Sequence, residues 1–71
     1  QQELEKALAI VERILLLFPD LALELRDRGL LCYQLGRFSQ AANDLESYLD
    51  ITPEAQDAYI IKRLLTKLGR Y

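Results

Sequence analysis

The same two landmarks occur twice in this chain at a fixed interval: Ala7 with Pro19, and then Ala41 with Pro53 thirty-four positions later. Each pair brackets an apolar run with helical spacing. A repeat of that length holds one helical hairpin, which hides its apolar face only by stacking on a neighbour. The expected role of such a chain is to present a surface.

At 71 residues the chain makes one small domain, of a size that buries only about 60% of its unfolded surface. With 51% hydrophobic and 28% charged residues, it is too apolar for intrinsic disorder. A formal net charge of -2 gives no electrostatic footprint for nucleic acid or an anionic membrane, so neither is an expected partner. The charges are uneven along the chain. Asp44, Glu46, Asp50, Glu54 and Asp57 come first, and Lys62, Arg63, Lys67 and Arg70 follow the last acid. Cations near a helix C-terminus explain this simply; a docking patch is the alternative. One cysteine permits no internal disulfide and suits a reducing compartment. Cys32, among Leu30, Leu31, Tyr33 and Leu35, reads as a small buried hydrophobe. No apolar stretch approaches the roughly 20 residues a bilayer span needs, and no leader precedes a cleavage site. A cytoplasmic domain is expected.

Leu4, Ala7, Leu8, Val11, Ile14, Leu15 and Phe18 recur every three or four positions, which marks one face of a first helix running to about Leu17. Pro19 interrupts it, and Asp20 is placed to cap the next helix. That second helix begins near Leu21, carries Leu25, Leu31, Cys32 and Leu35, and stops at Gly36. A third spans Phe38 to Ile51, with Phe38, Ala41, Ala42, Leu45, Tyr48 and Leu49 inward and Asn43, Glu46 and Asp50 outward. Thr52 and Pro53 end it. Proline suits the first turn of a following helix, so a fourth is expected from Glu54 to Leu68, closed by Gly69. No segment alternates with a period of two. The expected fold is all-α, about four helices in antiparallel hairpins.

Ala22 to Pro53 resembles one complete tetratricopeptide repeat without gaps. Leu25 fills the first large apolar site, Gly29 the small site where the helices meet, Gly36 the turn, Phe38 the turn aromatic, Ala41 the second small site and Pro53 the terminal proline. Arg28, Cys32 and Tyr48 depart from that pattern, where leucine, tyrosine and alanine are usual. On this frame, residues 1–18 look like the second helix of a preceding repeat, 21–52 the complete repeat, and 54–69 a following or capping helix. The chain is expected to be an excerpt from a longer α-solenoid protein, with part of the apolar surface around Ile10, Leu16 and Leu17 left without a covering helix.

The run ELRDRGLLCYQLGRF from Glu24 to Phe38, followed by ANDLESYLD from Ala42 to Asp50, resembles the C-terminal helical region of bacterial transglutaminase-like proteins of the sirB type. In that family a papain-like core lies upstream, and it is absent here. The resemblance implies an accessory, non-catalytic domain, with no transglutaminase or protease chemistry carried to any residue of this chain.

The residues agree with that. There is no histidine to pair with the single cysteine, a structural zinc site wants four cysteine or histidine ligands, and the three glycines are too scattered to cradle a phosphate. No catalytic residue, metal or cofactor is expected. Glu3 with Glu5, and Asp44 with Glu46, read as solvated charges, because residues two apart on a helix diverge. Arg28 is expected to lay its stem along the hairpin and reach Glu24 or Asp44.

In stacked hairpins the first helix of each unit lines the concave side. Helical spacing then selects Leu23, Arg26, Leu30, Tyr33 and Gln34, opposite the line of Leu25, Gly29, Cys32 and Gly36, and continues into Asp57, Ile60, Leu64 and Lys67. The tetratricopeptide resemblance implies that these positions contact peptides. Coverage of Leu30 and Tyr33 by the first and fourth helices would make the stripe core instead. Three function classes stay in order: an interaction module for a protein or peptide, then a structural appendage docking on the upstream domain or a second copy through exposed apolar faces, and last an enzyme. Open Leu23, Leu30 and Tyr33 with a capped first helix would favour the groove, and the reverse would favour docking.

Overall fold

A computed structural model describes residues 1–70. It contains α1 (Gln2–Leu17), α2 (Ala22–Gln34), α3 (Phe38–Ile51) and α4 (Ala58–Lys67), and no strand among the described residues. Sequential helices are neighbours, α1 with α2, α2 with α3 and α3 with α4. The all-α hairpin architecture expected from the spacing is the one observed.

Each helix buries the middle of the stripe that its periodicity marks: Leu8, Val11 and Leu15 on α1, Leu25, Gly29 and Cys32 on α2, and Ile61 and Leu65 on α4, while Phe18, expected on the α1 face, is the exposed C-cap of that helix. Leu45 of α3 is fully buried and belongs to a core cluster that includes Leu25, Tyr48 and Leu65. Leu8, Cys32 and Ala41 form a smaller one. The α2–α3 hairpin closes tightly because Gly29 has no side chain. A Cβ there would lie 2.8 Å from Leu45 Cδ2 and 3.3 Å from the Ala41 carbonyl oxygen.

Gly36 and Gly69 end their helices in the same way, with φ of 80° and 78°. After α2, the Arg37 amide donates to the Cys32 carbonyl at 2.8 Å and the Gly36 amide to Tyr33 at 3.1 Å. After α4, the Arg70 and Gly69 amides donate to Leu65 and Thr66. This paired closure needs a left-handed residue, which glycine supplies without steric cost.

Four local expectations are corrected. α4 starts at Ala58, four residues later than Glu54, because two turns intervene: the Ala55 amide donates to Thr52 and the Ala58 amide to Ala55. Asp20 does not cap α2, whose N-cap is the extended Leu21 with no side-chain bond. Phe38 is 52% exposed instead of inward, its ring tilted 55° against Tyr33 at 5.6 Å. Asp44 is buried at 3% exposure and not a solvated charge. It accepts bonds from Arg28 Nε and Nη2 at 2.8 and 2.9 Å and from Gln40 at 3.0 Å, which meets the requirement that a buried carboxylate be paired.

Candidate interaction surface

The stripe on α2 and α4 has a polar knot at its centre. Arg26 Nη1 donates to Asp57 Oδ2 at 3.1 Å and Nη2 to Asp27 Oδ1 at 3.2 Å. Its guanidinium lies 5.9 Å from the centre of the Tyr48 ring, and the Tyr48 hydroxyl donates to Asp57 Oδ1. The Tyr48 bond, helped by Arg26, holds the Asp57 carboxyl below its ordinary range despite partial burial. The same bond, with burial, pushes the Tyr48 phenol up. Arg26 is therefore not a bare cation awaiting a ligand: Asp57 on the facing segment already neutralises it.

Leu23 is exposed beside this knot, in a depression of about 420 Å³ that Tyr48, Thr52 and Gln56 also line. Ile60, Leu64 and Lys67 share a second depression of about 310 Å³ with Tyr59 and Arg63. Leu30 and Gln34 fall in a third, of about 430 Å³, with Ala7 and Val11 of α1. Leu30 and Leu64 are half-buried against the main core, and Tyr33 against the Cys32 cluster. The stripe is thus a series of shallow depressions, partly roofed, and the Arg26–Asp57 pair joins two of its members.

Tyr48, Asp27, Tyr59 and Arg63 also shape this surface and are missed by the stripe. Tyr48 stands where a tetratricopeptide repeat usually has alanine, and that departure was the available signal: a phenol there reaches the segment before α4. Tyr59 and Arg63 are one turn apart, with the guanidinium 5.8 Å from the ring centre.

α1 leaves Leu16 82% and Leu17 76% exposed, with Ile10 also open. The Cys32 thiol is buried, which raises its pKa, as does the Asp44 charge; a protonated thiol is a poor nucleophile. Among the described residues no cluster of three or more histidine, cysteine or acidic side chains could hold a metal ion, and no helix is long and apolar enough to cross a membrane.

Comparison with known proteins places this geometry in a family. Residues 1–66 match the tetratricopeptide repeat profile. UPF0162 proteins of Xylella fastidiosa strains Temecula1 and 9a5c are each 39% identical over 65 residues, which is 92% of this chain and 23% of theirs. The chain thus spans about a quarter of the length of these relatives. No solved structure matches it significantly. Stacked antiparallel hairpins, the Gly29 crossing against Ala41 and Leu45, and the match over nearly the whole length lead to one conclusion: the chain belongs to the tetratricopeptide repeat family.

Proposed function

We propose that this domain is a non-catalytic protein–protein interaction module, accessory to a transglutaminase-like domain elsewhere in a longer polypeptide. Tetratricopeptide repeats generally mediate protein–protein interaction. The Glu24–Phe38 run supports the accessory role, as does the greater length of the relatives. A peptide would lie across the stripe from Leu23 and Arg26 toward Ile60, Leu64 and Lys67. The observation that carries this reading is the pair of open apolar side chains, Leu23 on α2 and Ile60 on α4, each beside a depression with charged walls. Small concave sites of this mixed character suit peptide side chains. The test is calorimetric titration of the separately expressed remainder of the longer protein into this domain. Binding is expected, lost in Leu23→Asp with Ile60→Asp; unchanged binding in that variant rejects the stripe.

A second reading is favoured by a different observation. Leu16 and Leu17 are the most exposed large apolar side chains of α1, while Leu30, Tyr33 and Leu64 are half-covered. That pattern favours docking of an exposed helix face on a neighbouring domain or a second copy. Leu17→Ser should then weaken association without changing the fold.

A further inference from the structure

The charge asymmetry along the chain becomes a spatial one. α4 carries Lys62, Arg63 and Lys67 and no acid between Ala58 and Lys67. Among the described residues none of these three cations joins an ion pair. Arg63 and Lys67 line a depression with Tyr59 and Ile60, which are 68% and 65% exposed, and Lys62 is exposed three residues from Tyr59. This outward face is basic and apolar, with the 310 Å³ depression at its middle.

The antiparallel topology builds its complement elsewhere. The end of α1, the start of α2, the end of α3 and the turn before α4 meet at one end of the bundle. Asp20, Asp50 and Ile51 line one depression there, of about 260 Å³, and Ile51 and Glu54 line the adjoining one. Asp20, Asp50 and Glu54 are exposed and join no ion pair among the described residues. Phe18, Leu21 and Ile51 are exposed around them. Arg26, the cation bordering this end, is already held by Asp27 and Asp57.

We propose that the basic, apolar face of α4 docks on the acidic, apolar α1–α2/α3 end of a second copy of this chain. This rests on the docking reading and specifies its partner. Each surface carries what the other lacks, and among the described residues neither is neutralised within its own molecule. Opposite charges around an apolar centre give an interface both orientation and register. Because the two surfaces differ, the contact is head-to-tail: each added copy exposes a fresh site, so association grows in an open series instead of stopping at a symmetric dimer.

Sedimentation of the 71-residue chain tests it. The weight-average mass should rise above 8.2 kDa with concentration, without a plateau at the dimer, and fall again as salt screens the exposed charges. Lys62→Glu with Lys67→Glu should be monomeric alone, as should Asp20→Lys with Asp50→Lys. An equimolar mixture of the two should associate, and Ile60→Ser in the mixture should weaken it at constant charge. Recovery on mixing cannot come from misfolded variants. If both charge variants associate as the native chain does, or Ile60→Ser has no effect in the mixture, the α4 pairing is overturned. Loss through Leu17→Ser alone would then leave the docking reading standing through α1. A chain that stays monomeric up to about 1 mM rejects self-docking altogether.

Discussion

Arg28 of α2 and Asp44 of α3 are joined by two parallel hydrogen bonds of 2.8 and 2.9 Å, and the two side chains differ in their access to water: 24% of the arginine is exposed and 4% of the aspartate. That inequality sets the direction of the first prediction. Arg28→Met strands a buried carboxylate with only Gln40 beside it and should cost about 3 kcal/mol, near the range for an unpaired buried charge. Asp44→Asn leaves an arginine able to reach solvent and should cost less. Urea unfolding of the two variants should rank them in that order, and equal values would mean that Asp44 is hydrated in solution.

Gly29→Ala sets helix propensity against packing. Alanine is favoured over glycine in a helix by about 1 kcal/mol, yet its Cβ would lie 2.8 Å from a fully buried Leu45. Overpacking should win, with a net loss of about 1 to 3 kcal/mol. Combining Gly29→Ala with Leu45→Ala should be clearly non-additive in thermal unfolding, because the second change removes the atom that the first one strikes.

Gly36→Ala should also destabilise, for a different reason. Nothing lies within 4 Å of the added Cβ, but φ is +80°. The cost is backbone strain of about 1 to 2 kcal/mol, and Leu45→Ala should leave it unchanged.

Tyr48→Phe removes the hydroxyl that holds Asp57 and should cost about 1 kcal/mol at neutral pH. Because the Asp57 pKa is lowered in the fold, its contribution is complete above the unfolded value of about 4 and fades as pH falls through the folded one. The Tyr48 pKa is raised, so its contribution is complete below about 10 and fades as pH rises further. Stability of Tyr48→Phe followed against pH should show a shallower decline at both limits than the native chain.

Neighbouring leucines on α1 should respond oppositely. Leu15, at 5% exposure, should lose about 2 to 5 kcal/mol on replacement by alanine. Leu16→Gln, at an exposed position, should stay within about 0.5 kcal/mol. A large loss at Leu16 would reveal an intramolecular cover for that face.

The helices were legible because their causes are local. Three- and four-residue spacing marks the buried stripes, Gly36 and Gly69 close their helices through backbone freedom, and the Gly29–Ala41 approach follows from small residues at fixed register. The surface was legible only as a list of positions. Helical spacing says which side chains share a face, but not that Arg26 meets Asp57 thirty-one residues away, or that Tyr48 binds the same carboxylate from α3. Nor does it show that the chain turns twice before Ala58; it offers Asp44 as one of two partners for Arg28, without the burial that the pairing brings.

By itself, the order of amino acids determined an all-α repeat of the tetratricopeptide type, the glycines that close α2 and α4 and which small residues let α2 and α3 touch. Those properties depend on backbone conformation and on the period of a single helix. Only the tertiary structure decided which charges are neutralised, which depressions remain open and which apolar side chains face water. Those depend on side chains from different helices meeting in space, and the energy of each meeting is set by a burial that no one helix can establish alone.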